Sequence, residues 1–524
     1  MNIAEILCRH AATRPDAPAI LDVHRGRSRA LSFAELDLAS SRAAALLQNE
    51  GVAAGDGVLI FHAMSAELYA ALIGAFRLGA VPMFLDPSAG REHIERCCHL
   101  WPPKAMIAST KAHLLRFVSP ALRRIPRKFA IGGAVPGAVS WNRTSSLTPL
   151  REILASAPDA PALITFTSGS TGLPKAAVRN HAFLLEQHRV LAESLRLAAG
   201  DLDLTTLPIF VLANLGSGVT SLIPDADLRS PGKIDPAPVI GQIRSQKPGR
   251  TAAPPAFLER LGDYCAERKL FLPELKKIFV GGAPVFPNLL RKLHGISPDA
   301  EVTAVYGSTE AEPIAEILFS QIEPSDFGSM VQGRGLLAGR PVPQIRLAIL
   351  EEKWGKPIGT LSPSEFQSRC MPAGEAGEIV VSGGHVLSGY LGGKGDSETK
   401  FDVDGMRWHR TGDAGYLDER GRVWLLGRCD ARIEDEHGVL HPFAAECAAQ
   451  QVPGVRRAAL IAHNGRRLLA VELDKGSGAG IVAAVQNAVR WARIDSVRVL
   501  PKIPVDKRHN SKVNYPELRK LIRR

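Results

Sequence analysis

Thr165-Phe166-Thr167-Ser168-Gly169-Ser170-Thr171-Gly172-Leu173-Pro174-Lys175 is the stretch from which the rest of the chain can be read. The apolar run at 161–166 has strand character. It leads directly into hydroxyls and glycines that can turn backbone N–H groups and side-chain donors toward one anion, and Lys175 adds a positive charge. The pattern predicts a phosphate loop. A Walker loop ends in Gly-Lys-Ser/Thr so that the last hydroxyl holds Mg²⁺, whereas here Pro174 precedes the lysine and Ala176 follows it, which excludes a P-loop NTPase. Taken alone, the segment also fits an ordinary Ser/Gly-rich surface turn.

Four further short motifs follow in order: Gly281-Gly282-Ala283, Tyr306-Gly307-Ser308-Thr309-Glu310, Thr411-Gly412-Asp413 and Gly427-Arg428-Cys429-Asp430. Each is weak by itself, but five in series make coincidence improbable. With Thr167, Ser168, Gly169, Ser170, Thr171, Gly172 and Lys175, they make the chain resemble the adenylate-forming superfamily of acyl-CoA synthetases, luciferases and peptide-synthetase adenylation domains. The resemblance covers nearly the whole length. It implies an α/β fold in which a large multi-lobed N-terminal AMP-binding domain with helix-covered sheets (1–427) precedes a small mobile α+β lid (428–524). It also implies ATP and Mg²⁺ as cofactors.

Composition agrees with a large globular α/β enzyme. The chain has 524 residues, 45% hydrophobic, with Gly and Pro spread throughout, enough for several lobes with sizeable cores. A net charge of +11 could suggest nucleic acid, but no aromatic-interleaved basic groove is evident and no nucleic-acid partner is expected. The denser basic patches, 116–128 and the tail 519–524, read as solvated faces, with an anionic carrier protein or a membrane surface as the alternative. Seven cysteines without paired ligand spacing suggest a reduced, cytoplasmic chain. No signal peptide and no membrane span are expected.

The alternation begins early. Ser32 and Glu35 form a capping-box pattern ahead of an Ala/Leu-rich helix to about 47; a strand at 58–61, a helix at 67–78 and a strand at 81–85 follow, as in parallel sheets covered by helices. A helix is expected over 181–195, with Glu186 and Arg189 on its exposed face. The apolar stretch 206–218 suits an acyl-pocket wall and plain core equally, and Phe210 and Asn214 stand where many relatives have histidine. Residues 350–371, polar and broken by Gly and Pro, read as a surface excursion.

Resemblance then assigns roles. Gly282 and Ala283 leave room for adenine, and Tyr306 beside Gly307 and Ser308 stacks on it. Thr309 offers a hydroxyl to the α-phosphate. Glu310, with Thr167, holds Mg²⁺. Asp413 accepts from both ribose hydroxyls, Arg428 belongs to the nucleotide site, and Asp430 is the hinge. Lys512, in Asn510-Ser511-Lys512-Val513, matches the family's Ser-Gly-Lys-Ile pattern with Ser511 in place of glycine, and is preferred to Lys507 as the lysine that bridges the substrate carboxylate and the α-phosphate.

The tail pattern 504–512, with 207–227 and 408–413, looks most like the bacterial β-lactone synthetases of the olefin pathway and related fatty acyl ligases. That resemblance implies activation of a hydrophobic, fatty or β-hydroxy fatty acid as acyl-AMP, followed by intramolecular lactone closure. The acidic turn Glu434-Asp435-Glu436 would repel a phosphopantetheine arm, so CoA is the less favoured second substrate. The alternatives are a thioester-forming ligase and a non-catalytic nucleotide- and acyl-binding scaffold. Expected partners are a small-molecule carboxylic acid and other enzymes of a fatty-acid-derived pathway.

Overall fold

A computed structural model describes residues 1–24, 26–85, 90–168, 174–474, 476–478, 480–506 and 510–523, with Thr167 and Ser168 described by their backbone alone. The chain forms two compact units. The first comprises Met1–Asp225, Gly241–Ala252 and Gly389–Asp396; the second comprises Ala226–Ile240, Ala253–Ser388 and Ser397–Arg524.

In the first unit the expected alternation forms. Ser32 caps the helix Phe33–Asn49, accepting from the Glu35 N–H at 3.2 Å while the Glu35 carboxylate accepts from the Ser32 N–H at 2.8 Å. One sheet runs, in spatial order, Val139–Ser140, Arg127–Ile131, Pro103–Ser109, Gly57–Phe61, Val81–Phe84, Pro161–Ser168 and Pro174–Asn180. Only its last pair is antiparallel. Buried on both faces, its strands are continuous apolar runs such as Val58-Leu59-Ile60-Phe61, and Leu59, Met83, Met106 and Ile164 share one core cluster. The helix His181–Ser194 carries Arg189 paired with Glu186 at 2.6 Å and with Glu193 at 2.8 Å.

The stretch at 206–218 is a helix, Pro208–Ser217, buried along most of its length. Asn214 is fully buried and donates to Asp203 at 2.9 Å and to Ser221 at 3.1 Å, within a polar core network that Arg250 joins. This side chain ties a helix to the sheet beneath it.

The second unit departs from the parallel pattern. Its main sheet runs Arg346–Leu350, Gly377–Ser382, Met406–Leu417, Val423–Arg428, Leu336–Pro341, Ala311–Leu318, Glu301–Ser308 and Lys277–Val280, and only the last pair is parallel. For the pair Glu301–Ser308 and Ala311–Leu318 the cause is connection length: Thr309 and Glu310 alone separate them, too short a link for a crossover helix. A smaller sheet, Val455–His463, Arg466–Leu473 and Ser496–Val499, packs with the helices Pro442–Gln450 and Tyr515–Ile522 through apolar clusters.

Candidate active site

Gly282, Ala283, Tyr306, Gly307, Ser308, Asp413, Arg428 and Lys512 line one cavity of about 300 Å³ in the second unit. Backbone irregularities aim several of them. Gly282 has φ +84°, a left-handed conformation that an L side chain would strain. The ladder slips between Tyr306 and Ser308 and again between Ala414 and Gly415; such bulges re-aim side chains beside sites. Asp413 and Arg428 are direct partners on neighbouring antiparallel strands, which places their side chains together.

These residues hold one another. The Tyr306 hydroxyl donates to Asp413 Oδ2 at 2.7 Å, and Arg428 Nη1 donates to Asp413 Oδ1 at 2.9 Å and to the Thr411 carbonyl at 2.8 Å. Burial, reinforced by the Asp413 charge, pushes the Tyr306 phenol well above its ordinary range, so it stays a neutral donor. Each carboxylate oxygen keeps a lone pair beyond the bond shown, so Asp413 can still accept from two ligand hydroxyls.

Residues 350–371 contribute more than a surface excursion. Arg410, fully buried, pairs with Glu378 at 2.5 Å and donates to the Lys356 carbonyl at 2.6 Å and the Lys353 carbonyl at 3.0 Å. This tie brings the Trp354 ring 5.4 Å from Arg410 and 5.7 Å from Arg428. Gly412, at φ +69°, sits against the same ring: a Cβ there would lie 2.5 Å from Arg428 Nη2 and 2.8 Å from Trp354. The sequence reading missed Trp354. The only signal was a lone tryptophan in a polar segment.

Lys512 comes to the cavity on a different support. Its N–H donates to Asp506 Oδ1 at 2.9 Å, the Asp506 N–H donates back to the Lys512 carbonyl at 2.8 Å, and Val505 bridges Val513. Ser511, in place of the family's glycine, accepts the Ala256 N–H at 3.1 Å at the start of the helix Pro255–Arg268, and so fastens the lysine-bearing loop to that helix. Glu446 also lines the cavity. It is 1% exposed, accepts from the Leu460 N–H at 2.9 Å and the Tyr515 hydroxyl at 2.8 Å, and burial lifts its carboxyl to about 7.

Thr309 and Glu310 follow directly on this wall. The Glu310 N–H donates to Ser308 Oγ at 3.3 Å, and its carbonyl accepts from the Leu387 N–H at 2.7 Å. Glu310 also feels buried His409, which burial, with help from Lys400, lowers to about 3 against the opposing pull of Glu310. His409 is therefore neutral and donates through Nδ1 to the Thr399 carbonyl at 3.1 Å.

In the first unit, the Lys175 ammonium lies 5.3 Å from the centre of the Tyr390 ring. Gly169, Ser170, Thr171 and Gly172 lie outside the described residues, as does Lys507.

A model of the family described as AMP-binding enzyme matches residues 7–391. The chain belongs to this AMP-binding enzyme family. It is 30% identical over 552 residues to an olefin beta-lactone synthetase of Stenotrophomonas maltophilia, covering 99% of this chain and 97% of that one. It is 28% identical to an indoleacetate–CoA ligase of Aromatoleum aromaticum, covering 93% of this chain and 88% of that one. The crystal structure of the anthranilate CoA ligase AuaEII in complex with anthranoyl-AMP shares the fold, with a TM-score of 0.84 at 17% identity over 100% and 97% of the two chains. This AMP-binding enzyme is an AMP-forming acid ligase.

Among the described residues of this acid ligase, no group of three or more His, Cys, Asp or Glu gathers as a metal cage. A single carboxylate such as Glu310 suits magnesium, which keeps several waters and is commonly held by one or two carboxylates together with substrate phosphates. The acidic turn differs from its expected character. Arg467 holds Asp435 with two bonds of 2.7 Å, Arg432 lies 3.2 Å from Glu434, and His437 lies 3.7 Å from Glu436. Two of the three carboxylates thus have an arginine partner, so the turn presents less bare negative charge than its sequence implies.

No helix among the described residues is long and apolar enough to cross a membrane.

Proposed function

We propose that this enzyme activates a 2-alkyl-3-hydroxy fatty acid with ATP and closes the product to a β-lactone without CoA. The carrying observation is the full-length similarity to an olefin beta-lactone synthetase, which spans 99% of this chain and so includes the lysine-bearing tail. In the first step a carboxylate oxygen of the acid attacks the α-phosphorus of ATP, an O–P bond forms, and pyrophosphate leaves. Asp413 takes the ribose hydroxyls, Tyr306 packs on the adenine, and Thr309 meets the α-phosphate. Thr167, Ser168, Gly169, Ser170, Thr171, Gly172 and Lys175 cradle the phosphates. Lys512 places its ammonium between the acid carboxylate and the α-phosphate, where negative charge builds in the transition state. Magnesium held by Glu310 would neutralise phosphate charge.

In the second step the β-hydroxyl oxygen attacks the activated carbonyl, the acyl C–O bond to AMP breaks, and the hydroxyl proton is lost to solvent. Holding that hydroxyl beside the carbonyl turns a bimolecular encounter into a unimolecular one, which offsets part of the strain of a four-membered ring. With Glu434 and Asp435 paired to arginines, the acidic turn lends this choice little support, and it rests on the full-length relative. We place the lid at 428–524, hinged at exposed Asp430, immediately after the strand Val423–Arg428 ends.

The test is product analysis by mass spectrometry after incubation with Mg-ATP and a panel of fatty and β-hydroxy fatty acids, with and without CoA. A β-lactone, AMP and pyrophosphate are expected from the 2-alkyl-3-hydroxy acid, and a stalled adenylate from a simple fatty acid. CoA-dependent release of AMP with an acyl-CoA thioester as main product would replace this reading with the CoA ligase one.

A further inference from the structure

The chain's positive charge is concentrated in one region of the first unit. Residues 96–151 hold ten Lys or Arg and no Asp or Glu, against a net charge of +11 for the whole chain. At the centre of this region, two short helices, Leu115–Val118 and Pro120–Arg124, form a surface with two opposite faces. Leu122 and Ile125 are buried in the core, and Leu115 packs against the same cluster, so the segment is firmly seated. Its outer face carries Leu114, Phe117 and Val118, which are 61%, 78% and 53% exposed. Among the described residues, no other large apolar side chains are exposed in so short a stretch.

Among the described residues, the cations around this apolar knob have no carboxylate partners. Arg123 donates to the carbonyls of Arg116 and Phe117 at 3.2 and 3.1 Å, and Arg116 donates to the Pro136 carbonyl at 3.1 Å. Arg124 and Arg127 are exposed and form no ion pair among the described residues. The nearest acid, Glu95, accepts from the Ser119 hydroxyl and from the Ala121 N–H at 3.2 Å, which ties it to the helix start.

Exposed apolar side chains close in sequence to arginines that have no carboxylate partner among the described residues match the chemistry of an anionic bilayer surface. The side chains would enter the boundary between headgroups and acyl chains while the guanidinium groups meet lipid phosphates. We propose that the surface formed by Leu114, Phe117, Val118, Arg123, Arg124 and Arg127 docks this enzyme reversibly on anionic membranes. An acidic carrier protein could satisfy the arginines, but it would leave an exposed Phe-Val knob with no acyl layer to enter, so the bilayer is favoured. The inference is independent of the lactone proposal, since it requires only lipid.

The test is sedimentation of the full chain with vesicles of phosphatidylcholine alone or mixed with phosphatidylglycerol, at low and high salt. Binding is expected to the mixed vesicles only, and should fall as salt rises. Phe117→Ser should weaken binding on the order of tenfold by removing buried apolar area, and the double variant Arg123→Gln/Arg124→Gln roughly tenfold by removing charge. Both variants should keep the wild-type ATP–pyrophosphate exchange rate, which shows that they fold. The proposal is overturned if the chain stays in the supernatant with both vesicles, if the variants bind as the wild type does, or if an acidic acyl carrier protein is bound while vesicles are not.

Discussion

The cavity wall is built in two ways. Tyr306, Asp413 and Arg428 stand on strands of one sheet and are bonded to one another, so their positions are set before any ligand arrives. Lys512 stands on a loop tied to Asp506 by its own backbone bonds and fastened outside by the Ala256 N–H donating to Ser511 and the Gly232 N–H donating to Asn510. A pre-bonded cluster is suited to binding a nucleotide, because no further ordering is needed when it does so. A separately carried ammonium is suited to meeting charge that exists only in the transition state. The two regions should therefore fail in different ways when altered.

The largest expected effect is on the carried group. Lys512→Ala should lower acyl-adenylate formation by roughly two orders of magnitude or more, as expected for loss of a transition-state charge partner, with ATP affinity nearly unchanged. Isotope exchange between pyrophosphate and ATP measures the first quantity, and equilibrium binding of ATP the second. In the pre-bonded cluster the split should reverse. Asp413→Asn keeps the shape but removes an ionised acceptor, and ATP affinity should weaken by roughly tenfold to a hundredfold, the range for hydrogen bonds to a charged group.

Further from the ligand, Trp354→Ala removes the ring beside Arg428. The ATP KM should rise by about threefold, in keeping with a partly exposed cation–π contact. Equal loss of rate and affinity in this variant would show that the ring supports the whole wall and not only the guanidinium.

Glu446 adds a pH dependence. Its folded carboxyl is raised to about 7 from a usual 4.5, so between those values the unfolded chain has released a proton that the folded chain still holds. Stability therefore falls as pH rises through this window, by about 3 kcal/mol at most, and is flat for this group below it and above it. Glu446→Gln keeps an acceptor for Leu460 and cannot ionise. Its Tm should vary less than the wild type's between pH 5 and 7.5; equal slopes would mean that the carboxyl is not held neutral by burial.

What could be read from the sequence was local or repeated. The Ser32/Glu35 box, the Glu186–Arg189 pair and the strand-helix alternation of the first unit each depend on residues a few positions apart. Several of the short motifs converge on the cavity because each sits where a strand ends or bulges, and such turns leave a mark in glycine and hydroxyl residues. Interactions distant in sequence were hidden. Trp354 lies beside Arg428 in a segment that Arg410 holds by carbonyls more than fifty positions away. The acidic turn looked bare because Arg467, which holds Asp435, lies more than thirty positions away on a strand of another sheet and reaches it only in the fold. The antiparallel pairing of Glu301–Ser308 with Ala311–Leu318 follows from a two-residue connection that belongs to one of the motifs and was read for its chemistry alone.

The contrast between the two supports is tested most directly by measuring Lys512→Ala and Asp413→Asn side by side for ATP binding and for ATP–pyrophosphate exchange at saturating ATP. The expected result is a crossed pattern: Lys512→Ala binds ATP as the wild type does but exchanges at least a hundredfold more slowly, whereas Asp413→Asn binds poorly but recovers most of its exchange rate once ATP is saturating. Unchanged exchange in Lys512→Ala, or a loss matched by an equal loss of ATP affinity, would contradict the assignment of Lys512 as the group that acts in the transition state.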